Sequence, residues 1–265
     1  MLAPRQAHAP RVPLSCTIVA KNEADRIGRC ISAIKPICDD IVVIDSGSTD
    51  ATVAIAEGLG ARVFFRAWDG FGPQKRYAED VAQYDWILNV DADEVVSPEL
   101  ADEIFGLLGS PPELKAYRFK QVTVYPGQQQ PRLWADYHNY VRLYDRRALR
   151  FRDSLTHDTV DLKGATAGQL QNTALHFSFR SLDHVARKLE FYTDLQAREI
   201  TKPRWQLHLR RPFEYPILMF RYYVLRRHFT GGLYGLKAAH TFAAGRARRI
   251  GKFLRARQGS GQVKR

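Results

Sequence analysis

An apolar run, Asp85 to Val90 (DWILNV), stops at Asp91-Ala92-Asp93-Glu94. Two carboxylates one residue apart at a strand end can converge on a hard divalent cation such as Mg²⁺ or Mn²⁺, which takes oxygen ligands and keeps positions open for phosphate oxygens. Such a cation neutralises a diphosphate and stabilises it as a leaving group. Asp45 ends a second apolar run, DIVVID. There it can accept hydrogen bonds from a nucleobase or ribose, or form the turn into SGSTD, where Ser48 or Thr49 is expected to cap the next helix. Lys21, Asn22 and Glu23 follow a third run, LSCTIVA, with Asn22 or Glu23 placed to cap another helix. The plain alternative for Asp91 to Glu94 is an acidic turn before a helix, with Glu94 favouring the helix dipole. The alignment of three polar clusters with three strand ends weighs against it.

The elements around these residues alternate. Strands are expected at Leu14–Ala20, Asp40–Asp45, Arg62–Trp68 and Asp85–Val90, with helices over 23–35, through Val53, Ala56 and Leu59, over 73–83, and from Ser97-Pro98-Glu99, where Ser97 is the cap and Pro98 the first turn. Four alternations in about 95 residues predict a parallel sheet with crossover helices, whose ligands bind beyond the carboxyl ends of the strands. Residues 116–180, rich in Tyr, Phe, Arg and Val with stretches of period 2, predict antiparallel strands and long loops. Residues 181–199 predict a helix.

The chain has 265 residues, 45% hydrophobic and 26% charged, which excludes a disordered or collagen-like polymer. Its net charge of +12 is uneven: residues 202–265 hold 16 Lys and Arg against one acid, Glu214, while residues 1–201 hold 24 bases against 27 acids. Three cysteines (Cys16, Cys30, Cys38) without a Cys-x-x-Cys pair exclude a zinc ribbon or a disulfide framework, and they read as buried thiols in a reducing compartment. MLAPRQAHAPRVP lacks an apolar signal core, and no uncharged apolar stretch reaches membrane-spanning length, so a cytoplasmic protein is expected. Neither Gly-x-Gly-x-x-Gly nor the P-loop pattern follows a strand, which disfavours a dinucleotide-binding Rossmann domain and a P-loop NTPase.

The series AKNEADRIGRCI, IDSGSTDAT and YDWILNVDADE resembles family-2 glycosyltransferases of the GT-A fold, and its KNE form resembles the small bacterial lipopolysaccharide-core β-1,4-glucosyltransferases. WADYHNYVRLYDRR, LTHDTV, LHFSFRSLDHVARKLEFYT and RRHFTGGLYGL extend the resemblance from residue 14 to about 240. It implies an α/β, Rossmann-like nucleotide-diphospho-sugar transferase fold with a mixed sheet flanked by helices. It also implies an inverting, metal-dependent hexosyltransferase with a UDP-sugar donor. Under it, Asp45 contacts the uracil or ribose, and Asp91 and Asp93 hold metal and donor, with Asp93 the more direct ligand of Mg²⁺ or Mn²⁺. Lys21, Asn22, Glu23, Lys75, Arg76 and Ala92 belong to the donor side. An inverting transfer needs one general base. The matching motif usually reads Val-His-Glu and here reads Thr156-His157-Asp158. Asp158 is the expected base, one methylene shorter than Glu, with His157 second. Trp134, Tyr137 and Tyr140 are placed to stack on sugars, and His176 to face the acceptor side.

The expected organisation is a disordered leader at 1–13, a catalytic domain at 14–200 (donor half 14–110, acceptor half 111–200), a basic amphipathic helical segment at 201–255 and a disordered tail at 256–265. Residues 213–228 (FEYPILMFRYYVLRRH) mix a large apolar face with Arg221, Arg226 and Arg227, and Leu236, Ala239, Ala243, Ala247, Ile250 and Leu254 recur at helical steps among arginines. That pattern suits an anionic membrane surface contacted through residues 213–257, with the protein peripheral on the inner face of the cytoplasmic membrane; the alternative is a helix packed on the body with a solvated arginine face. The donor would be UDP-glucose, and the acceptor a membrane-anchored glycolipid of the lipopolysaccharide core or another envelope glycan. Two alternatives differ in class: a nucleic-acid binder using the basic tail, disfavoured by the lack of any nucleic-acid module, and an inactive nucleotide-sugar-binding homologue.

Overall fold

The computed structural model describes residues 12–154, 159–198 and 203–259. Their contacts divide into two compact units: Met1–Val122 with Tyr137–His176, and Thr123–Asp136 with Phe177–Arg265.

The first unit is built on a sheet of order β3-β2-β1-β4-β7-β6-β10-β5. Its parallel part comprises β1 (Leu14–Ala20), β2 (Asp40–Asp45), β3 (Arg62–Phe65) and β4 (Trp86–Asn89). Both faces of β1 and β2 are covered, so these strands read as continuous apolar runs. The crossovers are α1 (Ile27–Ile34), α2 (Thr52–Gly58) and α3 (Phe71–Val81). β5 (Glu94–Val96) is a three-residue strand at the far edge, and α4 (Pro98–Leu107) follows it. Ser97 caps α4, its side chain accepting from the Leu100 N–H at 3.1 Å.

β6 (Ala116–Thr123), β7 (Tyr137–Asp145) and β10 (Gly168–His176) extend the sheet; β7 runs antiparallel to β4 and to β6. A two-stranded ladder joins β8 (Arg150–Phe151) and β9 (Val160–Asp161). The sheet is therefore mixed and helix-flanked, as the GT-A expectation requires. Ile18, Ile27, Ile31, Val43, Leu88, Leu100, Ile104 and Phe119 lie in its main core.

Several local expectations need correction. β3 ends at Phe65, not Trp68. Neither Ser48 nor Thr49 caps α2: the Ser48 Oγ accepts from the Asn22 N–H at 2.9 Å, and Asp50 accepts from the Thr52 N–H at 3.0 Å instead. Neither Asn22 nor Glu23 caps α1 through its side chain. Glu94 does not lead a helix; it opens β5 and is buried. Val12 donates its N–H to Leu108 O and α7 runs to Gly259, so the expected leader and tail each overlap described structure.

The second unit is helical: α5 (Leu182–Arg198), α6 (Arg204–Phe220), a π turn over Arg221–Leu225, a 3-10 turn over His228–Gly231 and α7 (Gly232–Gly259). α7 packs against α5 and α6. Leu207 meets Ile250, Phe253 and Leu254, and Leu218 and Tyr222 meet Ala239 and Ala243. The apolar steps of α7 are thus largely spent inside the unit, as the packed alternative has it.

Candidate functional site

β1, β2 and β4 run parallel, so their carboxyl ends share one edge, and the three polar clusters gather there. Asn22, at φ +56°, accepts the Thr49 N–H on its Oδ1 at 2.8 Å, and the Glu23 N–H donates to Thr52 Oγ1. Asp45 is buried, and its carboxylate accepts the N–H groups of Gly47 (2.9 Å) and Ser48 (3.0 Å). The KNE segment and the SGSTD turn are therefore one hydrogen-bonded loop pair.

Asp91 is held between two cations. Lys75 Nζ lies 2.8 Å from Oδ1, and Arg142 Nη2 lies 2.9 Å from Oδ2. Both cations also donate to Asn89 Oδ1, at 2.9 and 2.6 Å, while Asn89 Nδ2 donates to the Thr17 carbonyl. Three elements build this clamp: α3 supplies Lys75, β4 supplies Asn89, and β7 supplies Arg142. Burial would raise the Asp91 carboxyl, but Arg142 and then Lys75 hold it well below the usual range. Beside it, burial pushes Glu94 upward against the pull of Arg142. The Glu94 carboxylate accepts the Asp91 N–H at 3.1 Å, which fixes the turn.

Asp93 faces differently. Its carboxylate lies 3.5 Å from His176 Nε2 and 3.5 Å from Arg26 Nη1. The antiparallel ladder of β10 with β5 creates this meeting, because it sets His176 opposite Glu94, next to Asp93. Burial opposes both charges, yet the pairing lowers Asp93 and raises His176. His176 Nδ1 is buried without a hydrogen-bond partner among the described residues. A carboxylate and an imidazole this close are a fitting donor pair for one divalent cation. Among the described residues no three His, Cys, Asp or Glu form such a set, so a cation here would complete its ligands from the diphosphate and water.

The expected residues thus divide. Asn22, Glu23, Asp45, Lys75, Asp91 and Asp93 come together at the strand ends. Lys21 is exposed at the same loop, and Ala92 is buried between the two aspartates. Arg76 points elsewhere, donating to the Phe151 carbonyl at 2.9 Å. His176 stands with Asp93, where the sequence reading set it on the acceptor side. Tyr137 and Tyr140 are exposed on β7, and Lys120 sits over the Tyr137 ring. Trp134, at φ +55°, lies in the second unit beneath Arg227. Thr156, His157 and Asp158 lie outside the described residues. Arg142, Arg26 and Asn89 were not singled out from sequence. Arg142 sits in the quoted YVRLYDRR, but nothing in that string tells a buried arginine from a surface one.

Comparison with known proteins adds four findings. Residues 15–161 match the family described as glycosyl transferase family 2. An uncharacterized glycosyltransferase of Rickettsia felis is 38% identical over 250 residues, 90% of this chain and 88% of that protein. The lipopolysaccharide core biosynthesis glycosyltransferase LpsC of Rhizobium meliloti is 28% identical over 240 residues, 85% of this chain and 84% of that one. Among solved structures, glucosyl-3-phosphoglycerate synthase of Mycobacterium tuberculosis, crystallised with Mn²⁺, uridine diphosphate and glucosyl-3-phosphoglycerate, is 26% identical with a TM-score of 0.36. The match spans 44% of this chain and less than half, 45%, of that chain.

Proposed function

The chain belongs to glycosyl transferase family 2, and from that premise we propose that it is an inverting transferase moving a hexose, glucose first, from a UDP-sugar to a membrane-anchored glycolipid. The lipopolysaccharide core is the acceptor class favoured by the likeness to LpsC. One observation carries the reading: a doubly clamped Asp91 stands two residues from an Asp93–His176 pair, at the edge where three parallel strands end.

In this reading Asp45 and the Asn22–Thr49 loop pair hold the nucleoside. Lys75 and Arg142 keep Asp91 ionised and immobile, so it can accept hydrogen bonds from ribose or sugar hydroxyls of the donor without reorganising. Asp93 and His176 would hold Mg²⁺ or Mn²⁺, which when bound supplies charge neutralisation to the diphosphate. Tyr137 and Tyr140 offer faces on which a sugar can stack. Asp158 takes the proton of the attacking acceptor hydroxyl, with His157 its alternate. The Gly72 N–H donates to Ser154 O at 2.9 Å, which ties the start of that segment to α3. The protein would act at the inner face of the cytoplasmic membrane.

The test is transfer from a panel of UDP-sugars to a lipid-anchored core oligosaccharide. Wild type should transfer one hexose with inversion, and Asp158→Asn should retain donor binding while losing transfer. Unchanged transfer by Asp93→Ala would sink the proposal.

A further inference from the structure

α6 is apolar on two opposite faces. Leu207 and Leu218 point to α7 and are buried, as is Tyr222 in the π turn that follows. Trp205, Leu209, Phe213, Ile217 and Phe220, at steps of four, four, four and three, share the other face. Each is 56–65% exposed. A helix with apolar residues on both sides, packed on one of them against α7, leaves the second side for another apolar phase among the described residues. Val224 and Leu225 continue this exposed surface through the π turn.

The charges beside the stripe have one sign. Arg210, Arg221 and Arg226 are exposed beside it. The sole acid of residues 202–265, Glu214, is buried between Arg210 (2.9 Å) and Arg249 (2.8 Å). Among the described residues no helix is long and apolar enough to cross a membrane.

We infer that α6, rather than the apolar steps of α7, is the lipid-contacting element, lying along an anionic bilayer with Trp205, Leu209, Phe213, Ile217 and Phe220 in the acyl boundary and arginines at the headgroups. Its 17 residues give a footprint of about 25 Å, and interfacial helices of this kind sink roughly 5–10 Å. Anionic lipid fits better than a second copy of this chain. A two-fold contact would set the same arginine row against itself, whereas lipid phosphates pair with it. The inference deepens, and rests on, the reading of a lipid-anchored acceptor, but it is tested without donor or acceptor.

The experiment is co-sedimentation of the full chain with phosphatidylcholine vesicles, with and without phosphatidylglycerol, across a salt series. Wild type should bind the anionic vesicles and release with salt. Phe213→Gln/Ile217→Gln should weaken binding at least about tenfold with an unchanged melting curve, and Arg221→Gln should flatten the salt dependence. Vesicle binding unaffected by the double variant would overturn the inference. So would light scattering that shows a dimer which the double variant dissolves, since a second copy then covers the stripe. Wild type that ignores vesicles yet still binds UDP would overturn the inference and leave the transferase reading standing.

Discussion

Arg142 is 3% exposed and serves two carboxylates. It bonds Asp91 at 2.9 Å and stands 3.5 Å from Glu94. At 2.9 Å, an effective dielectric near 20 gives roughly 5–6 kcal/mol of attraction to Asp91. Desolvation of the guanidinium offsets much of that, so the pair's net worth is small while the cost of breaking it is not. Removing one partner of a buried pair costs about 3–5 kcal/mol. The Asp91 side chain is 31% exposed, and water screens it, so the lower end applies. Arg142→Gln should therefore lower unfolding free energy by about 3 kcal/mol, read by urea unfolding with tryptophan fluorescence, to which the buried Trp86 on β4 contributes. Adding Asp91→Asn removes the stranded charge, so the double variant should be at least about 1 kcal/mol more stable than the two single losses predict. Additivity within about 0.5 kcal/mol would refute the clamp.

Other consequences follow from single contacts. Burial would raise Asp40, but hydrogen bonds from Arg62 (2.9 Å), the Gln83 N–H and Ser15 lower it. A depressed folded pKa means its stabilisation is full above the unfolded value of about 3.9 and is lost as pH falls below it. Asp40→Asn should accordingly flatten the acid limb of a stability–pH curve. At Gly72 a Cβ would meet the Arg152 carbonyl at 2.1 Å and the Ser154 nitrogen at 2.6 Å, both backbone. Gly72→Ala should displace the backbone at Arg152 and Ser154, just before Asp158 in the chain, and lower kcat by up to about a hundredfold, with UDP affinity less affected; equal losses in both would argue against a role in placing the base. Tyr137→Ala should raise the acceptor KM about tenfold, the loss of ~1.4 kcal/mol of stacking, and leave the donor KM near wild type.

The donor edge was legible because its strands are buried on both faces. DIVVID begins and ends as β2 does, and Ser97-Pro98 opened α4 as expected. The expected caps of α1 and α2 failed because the Ser48 hydroxyl and the Asn22 amide oxygen serve N–H groups across the loop pair, at sequence separations of 26 and 27, which no local pattern reveals. β5 was invisible: three residues between an acidic turn and a cap are too few to show a period. Missing β5 also hid the pairing that carries His176 to Asp93. In the C-terminal helices, periodicity found apolar faces but not which of them a neighbour covers. Both the 213–228 segment and α7 read as apolar and basic, yet α7 packs inward while α6, with Pro212 and Pro216 inside it, carries the exposed stripe.

The most direct test is a calorimetric titration of UDP into the protein with Mn²⁺ or Mg²⁺, repeated with chelator and with Asp93→Ala and His176→Ala. The account predicts metal-dependent binding, weakened at least about tenfold in either variant, a loss of ~1.4 kcal/mol or more. Binding equally tight with chelator, or in both variants, would contradict the assignment of Asp93 and His176 to the cation, and no binding under any condition would remove the UDP-sugar reading.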